Sequence, residues 1–575
     1  MNDLKTAGDG WARATTAMGE AMTGALRAPA AIGGTRPYDP LAIADAMAEF
    51  GASYTVPKLF ELQMDAARQW GEFWRSALAP SDAPRADERE RPRDRRFSAP
   101  EWESDPWFRG IRDAYLLASA QLKRLVATGE GDPKANAMVG FLLDQWVNAL
   151  SPANFPLTNP QVIERTLASG GANLAHGFAN LLEDVASGRG LVTRRADPGA
   201  FVKGETIAAT PGQVVFQNEL FQLVQYTPTT PDVAAEPLLY VPPLVNRFYM
   251  IDLVPKSSLV KWLVDQGRTV FVVSWVNPTD AHRGKGVEDY VLDGIVAAIE
   301  VVRDRTGAKP DLFAFCLGGT LVAIALAWLA TQGRGGDVNS ATLIGSMVDF
   351  ADMRDWSAFV HEAHLDALDD HLAAQGYIDS VELQRLFAAM RANDLIWSSV
   401  VNHYLLDAPA PPSDLLYWFE DGARIPAAFL TSYNRKLLFE NALTRPAGFA
   451  VRGQPIDIAA IETPILSIAL KDDHVSAWEA VYDGAKLLRA EFLLGGSGHN
   501  AGVINPPSAG KHGFWTNDAR PETGGEWLAS ATRNEGSWWP WWDAWLSAKG
   551  GGERVPAREI ADGIEPAPGS YAKAA

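Results

Sequence analysis

The sequence predicts an α/β protein: a mainly parallel sheet with helices on both faces, preceded by an α-helical N-terminal part. Three observations predict it. After Gly204, short apolar runs alternate with amphipathic segments, and parallel strands, buried on both faces, read as such continuous runs. Before about residue 200, apolar residues recur at helical spacing instead. The 575 residues, 47% hydrophobic and 21% charged, suffice for a large core and for more than one folding unit, or one large α/β unit with an appendage.

Residues 1–79 read as a helical N-terminal extension. From Phe60, the apolar positions Met64, Ala67, Trp74 and Leu78 return on one helical face. Residues 80–100 read as a charged flexible linker, because Asp82 to Arg96 holds five acids and six arginines and almost nothing apolar. Residues 101–203 read as a helical domain. Its helices are expected over Ile111–Ala127, Asn136–Leu150 and Gln161–Ser187, the last opened by Asn159-Pro160.

Residues 204–575 make the predicted α/β domain. Strands are expected at Leu238–Val241, Thr269–Trp275, Leu312–Cys316, Ala341–Met347, Ala427–Leu430, Ile465–Leu470 and Phe492–Leu494. The alternation breaks at Asp352 to Glu382, where eight acids face one arginine, Arg354. This falls within an insertion at about 350–425, read as a lid or interaction surface.

Charge and composition exclude several functions. With 51 basic and 70 acidic residues the net charge is −19, which argues against nucleic acid as a main partner. One cysteine rules out a disulfide framework or a cysteine-based metal cluster, and the nine histidines show no metal-ligand spacing. The N-terminus has no basic region followed by an unbroken apolar one, so no secretory signal is expected. Leu312 to Ala330 carries no charge over 19 positions, but it divides at Cys316-Leu317-Gly318-Gly319 into strand and helix; no transmembrane segment is expected. The reading is of an acidic intracellular protein whose single thiol needs a role.

That thiol sits in Asp311-Leu-Phe-Ala-Phe-Cys316-Leu-Gly-Gly-Thr320, a strand, a sharp turn and a helix. This is the layout of the G-x-S-x-G nucleophile elbow with cysteine for serine. Ala314 and Gly318 are small where a larger group would collide across the turn. The backbone N–H of Leu317, at the new helix N-terminus, is placed to hold an oxyanion, and the same positive end favours a thiolate. A lone cysteine among apolar residues is more often a buried hydrophobe, so its partners decide. In α/β-hydrolases the order is nucleophile, acid, histidine, each after a later strand. Here Ile465–Leu470 ends in Lys471-Asp472-Asp473-His474, and Phe492–Leu494 ends in Gly495-Gly-Ser-Gly-His499. Asp473 is therefore the candidate acid and His499 the candidate base, with His474 ranked behind it. The loop Pro242-Pro243-Leu244-Val245-Asn246-Arg247 follows the first strand, and the N–H of Val245 is the candidate second oxyanion donor. The α/β-hydrolase fold is thus the expected class.

These residues resemble the polyhydroxyalkanoate synthases, most like class I. The likeness rests on Phe315-Cys316-Leu-Gly-Gly-Thr320, Asp473-His474 with Trp478, and Gly496-Ser-Gly-His499 to Pro506. Arg391-Ala-Asn-Asp-Leu-Ile-Trp397, Trp515-Thr-Asn-Asp518 and Gly536-Ser-Trp-Trp-Pro540 add to it, and it runs from about Phe97 to the C-terminus. Two departures are Ala314, where the family usually has glycine, and Phe-Glu-Asp after Leu415-Leu-Tyr-Trp418.

The resemblance implies an acyltransferase that polymerises (R)-3-hydroxyacyl-CoA, of short chain such as 3-hydroxybutyryl-CoA, into polyester with release of CoA. Cys316 would carry the acyl group, and Asp473 and His499 would handle protons. No metal or redox cofactor is implied, since CoA is only the leaving group. Implied partners are the growing polyester, the granule surface, a second copy in a homodimer and granule-associated proteins; the implied location is cytoplasmic, on granules. A thioesterase or single-turn acyltransferase on the same triad, or a non-catalytic granule-coating protein, are the alternatives. The tryptophans at 538, 539, 541, 542 and 545 read as core of a terminal helix or as a polymer contact.

Overall fold

A computed structural model describes residues 56–77, 94–129, 132–186 and 195–574. The parts of the expected extension and linker at 1–55 and 78–93 lie outside the described residues. The chain forms two compact units. The first gathers the residues up to Arg195 with 361–371 and 387–410; the second holds 196–360, 372–386 and 411–575.

The first unit is helical: α1 (Val56–Ala77), α2 (Pro106–Ala127), α3 (Pro133–Ala149), α4 (Pro160–Ser169) and α5 (Ala172–Ala186). Capping side chains set their starts. Asp105, Asp132 and Asn159 each accept backbone N–H bonds just ahead of a proline in the first turn, where its missing donor costs nothing. Three expectations are corrected. The helix read as Gln161–Ser187 is two, because Gly170 and Gly171 at φ 62° and 88° end α4 in the left-handed region. On α1 the expected face is exposed at Phe60, Met64, Ala67 and Trp74; Leu62, Ala66, Trp70 and Phe73 are half-buried instead, with the Trp70 indole donating to Gln121 on α2. Finally, the end of the expected linker is structured. Phe97 and Ala99 are buried with Trp102, and Arg96 bonds Asp94 and Tyr115, so two apolar anchors outweigh the flanking charge.

The expected insertion at 350–425 is not one block. Its segment 387–410 packs on α5 within the first unit: Asn173 Nδ2 donates to the Leu405 carbonyl at 2.6 Å and Tyr404 Oη to Asp184 at 2.8 Å. At Gly177 a Cβ would lie 1.8 Å from the Tyr404 carbonyl oxygen, so only glycine permits that approach.

The second unit is built on an eleven-stranded sheet. Its strands are β1 (Gly212–Gln217), β2 (Phe221–Tyr226), β3 (Leu238–Val241), β4 (Val270–Trp275), β5 (Asp311–Phe315) and β6 (Ser340–Ile344). Then come β7 (Ile465–Leu470), β8 (Glu491–Gly495), β9 (Phe514–Thr516), β10 (Thr532–Asn534) and β11 (Glu565–Pro566). The order across the sheet is β10-β9-β8-β7-β6-β5-β3-β4-β2-β1-β11. From β8 to β4 every pairing is parallel; both flanks are antiparallel. The expected runs supply the parallel centre, with one correction. Ala427–Leu430 is helix, the start of Ala427–Ser432, which continues as a wider-wound turn through Phe439; a short buried apolar run has no period that separates helix from strand.

The chain steps from β3 to β4 on one side and then back across to β5 on the other. In such sheets the crevice at this reversal, beyond the carboxyl ends of the strands, is where ligands bind. Cys316 follows β5 and the loop 242–247 follows β3, so the sheet order alone brings both to that crevice. Helix α6 (Leu317–Thr331) leaves it buried on nearly every side, which is why the 19-residue uncharged stretch is apolar throughout. Among the described residues no helix is long and apolar enough to cross a membrane.

Candidate active site

Cys316 stands at φ 53°, ψ −128°, a conformation that L-residues seldom adopt and that costs about 1–3 kcal/mol. The strain is held by its neighbours. The Cys316 N–H donates to the Ile344 carbonyl on β6 at 2.8 Å, and its own carbonyl accepts from Gly319 at 2.9 Å. Glycine at 318 is obligatory: a Cβ there would lie 2.4 Å from the Val241 carbonyl oxygen and 2.9 Å from Pro242. That contact seats the elbow against the loop carrying Val245, whose carbonyl accepts from Ala423 at 3.0 Å. Leu317 opens α6, so its N–H has no acceptor within the helix.

The acid and the histidine arrive from the next two strands. After β7, the Asp473 side chain is fully buried, and its Oδ1 accepts the N–H groups of Val475 at 2.7 Å and Ser476 at 2.9 Å. Its other oxygen, Oδ2, lies 2.6 Å from Nδ1 of His499, which follows β8. The imidazole is buried and stacks obliquely on Phe315, ring centroids 4.6 Å apart, with Cys316 near enough to act on its charge. The structure thus brings Cys316, His499 and Asp473 into one chain of contacts, and the imidazole that meets Asp473 is that of His499, not of the adjacent His474.

Burial disfavours a charged imidazole, but Asp473, by charge and by hydrogen bond, and then Cys316, by its charge, outweigh it and push the His499 pKa up to about 10. Two phenols share the neighbourhood, that of Tyr240 buried and that of Tyr433 half-buried. Burial first, and the charge of Cys316 second, raise both Tyr240 on β3 and Tyr433, the latter partly offset by Thr320. Sequence reasoning missed these tyrosines, and it missed Gly345. At φ 54° this glycine leaves room where a Cβ would stand 3.4 Å from the His499 ring and 3.5 Å from Asp473. Its signal was legible as a glycine at a strand end. The tyrosines gave none: Tyr240 sits in an ordinary apolar run and Tyr433 among polar residues that carry no motif.

A family model described as "Poly-beta-hydroxybutyrate polymerase (PhaC) N-terminus" matches residues 93–263, and an alpha/beta hydrolase fold model matches 244–506. The "Poly(3-hydroxyalkanoate) polymerase subunit PhaC" of Cupriavidus necator is 41% identical over 493 residues, covering 84% of this chain and 83% of that one. The chain belongs to the poly(3-hydroxyalkanoate) polymerase family. The "Poly(3-hydroxyalkanoate) polymerase" of Methylorubrum extorquens, 40% identical over 494 residues and matched across 84% of this chain and 81% of its own, agrees. As a polyhydroxyalkanoate polymerase the protein is an acyltransferase with an α/β-hydrolase fold, as the resemblance implied. The match to the polymerase N-terminus begins at residue 93, just before Phe97 anchors the helical unit.

Proposed function

We propose that this polymerase joins short-chain (R)-3-hydroxyacyl groups, such as 3-hydroxybutyryl, from CoA thioesters into polyester through an acyl-Cys316 intermediate. One observation carries the reading. His499 meets Asp473 at 2.6 Å, Cys316 lies near enough to that imidazole to raise its pKa, and Cys316 stands on a strained turn between strand and helix.

The steps balance as two acyl transfers. His499 takes the proton of Cys316, and the sulfur attacks the thioester carbonyl; the oxyanion is held by the N–H groups of Leu317 and Val245. The intermediate collapses, the C–S bond to CoA breaks, and the imidazolium returns its proton to the leaving thiolate. A 3-hydroxyl then loses its proton to His499 and attacks the acyl-Cys316 carbonyl. The ester forms and the sulfur departs as thiolate. Asp473 holds the imidazole by Nδ1 and balances its charge in both halves. Thioester exchange is nearly balanced, so the acyl group stays activated on Cys316 until the hydroxyl arrives. No metal or redox cofactor enters these steps. The reading extends to a cytoplasmic enzyme on the polyester granule, working as a homodimer alongside other granule proteins, with the 350–425 segments acting as lid and interaction surface.

Incubating the purified protein with (R)-3-hydroxybutyryl-CoA tests it. CoA release with rising turbidity supports polymerisation. Release with soluble 3-hydroxybutyrate makes the protein a thioesterase, and no release with Cys316 intact makes it a granule-coating protein.

A further inference from the structure

We infer that Trp538 and Trp539 are positioning residues for His499, acting as a two-pronged clamp on the backbone of its loop. The inference rests on the proposed role of His499. The loop folds back on itself immediately after the imidazole. Gly502 N–H donates to the Gly498 carbonyl at 2.7 Å, while Val503 and Ile504 donate to the Asn500 carbonyl at 3.2 Å. Gly502 has no room for a side chain: a Cβ would lie 2.6 Å from Leu470 and 2.9 Å from the carbonyl oxygens of Gly496 and Gly498.

The carbonyls of Gly502 and Val503 follow, that of Val503 accepting from the Asn505 N–H at 3.0 Å. Two consecutive indoles take them, Trp538 Nε1 donating to Gly502 at 2.9 Å and Trp539 Nε1 to Val503 at 3.0 Å. Both tryptophans are fully buried where the chain enters helix α7 (Trp539–Lys549). Trp538 also lies against Gly495, the last residue of β8. A buried indole must place its N–H on an acceptor. Two such donors on adjacent residues, meeting adjacent carbonyls, fix the loop's rotation as well as its position. The loop is otherwise held by its own backbone turns, by Ser497 accepting from the Asp472 N–H at 3.0 Å, by Gly496 donating to the Gly513 carbonyl at 2.9 Å, and by the His499–Asp473 pair. A later tryptophan on the helix makes the contrast: Trp542 is equally buried, but its Nε1 donates to Thr342 Oγ1 on β6 at 2.9 Å.

The test replaces each indole in the full chain by phenylalanine, and separately by site-specific 3-benzothienylalanine, which keeps the ring volume and removes only the N–H. The readouts are kcat and KM for CoA release and the pH profile of Cys316 alkylation by iodoacetamide, all taken below each variant's unfolding midpoint. At 538 and 539 the benzothienyl variants are expected to lower kcat between about 10-fold and 100-fold with KM within about twofold, the scale of a misplaced catalytic group. They are also expected to shift the alkylation profile in the direction that His499→Gln shifts it. The benzothienyl variant at 542 should change neither readout. Equal effects at all three positions, or none at 538 and 539, overturn the clamp. If His499→Gln itself leaves alkylation unchanged, the role of His499 falls and the clamp with it; if only the tryptophan variants are silent, the clamp alone falls.

Discussion

His499 Nδ1 and Asp473 Oδ2 lie 2.6 Å apart with both side chains buried, and the aspartate's remaining oxygen is held by two backbone N–H groups. The carboxylate therefore cannot swing away, and the imidazole's orientation is fixed from the far side of the ring. Asp473→Asn keeps an oxygen for Val475 and Ser476 but removes the charge that stabilises the imidazolium. CoA release should fall on the order of 10³-fold to 10⁴-fold, as when a triad aspartate is neutralised, with the far-UV spectrum unchanged. A loss below about tenfold would show that His499 works without it.

The same pair has a stability signature. The His499 pKa rises from an ordinary 6.5 to about 10 in the fold. A folded-state pKa raised above the unfolded one contributes stability that is full below about 6.5 and is lost as pH climbs through about 10. The wild type's advantage in thermal midpoint over His499→Gln should therefore shrink steadily between pH 6.5 and 10. An advantage that is flat or grows over that range contradicts the charged pair.

Cys316 separates chemistry from strain. Cys316→Ala should abolish CoA release while the protein still folds, because it removes the sulfur and little volume. Cys316→Gly should be equally inactive yet more stable than the alanine variant by about 1 kcal/mol, since glycine tolerates φ 53° without penalty. Paired urea titrations read the difference, and equal midpoints would mean the elbow is not strained.

Gly318→Ala tests the seating of the elbow. The added methyl meets the Val241 carbonyl oxygen at 2.4 Å, so β3 and the loop after it must shift. A loss of about 1–3 kcal/mol is expected, with a drop in CoA release larger than Gly307→Ala gives, where the added methyl meets open space but a positive φ imposes backbone strain.

At the opposite end of β5, Asp311 is fully buried. One oxygen accepts from Ser340 at 2.6 Å and Asn339 at 2.7 Å while the other has no partner. Burial, only partly offset by those bonds, pushes its pKa up to about 6. A carboxyl raised in this way is a liability once ionised: the cost is absent below about 3.8, grows through the window up to 6, and is constant above it. Asp311→Asn should gain stability relative to wild type between pH 4 and pH 7, by up to about 3 kcal/mol. A difference that does not change with pH would show that the carboxyl ionises there without penalty.

Read as a string, the chain determined the order of Cys316, Asp473 and His499, and the strands they follow. Parallel strands buried on both faces have to be continuous apolar runs, and a reacting group at a strand end has to follow one directly. The antiparallel flanks were not legible, because Gly212–Gln217 and Phe221–Tyr226 mix polar glutamines with apolar residues and β1 is partly exposed. Nor was the helical state of Ala427–Leu430, which four apolar residues cannot announce. Only the tertiary structure gave Trp538 and Trp539 to the histidine loop and brought Tyr240 and Tyr433 within range of the Cys316 charge. Each of these depends on contacts between residues tens to more than a hundred positions apart, which local periodicity does not encode. They are settled by which strand lies beside which and by where buried donors find acceptors.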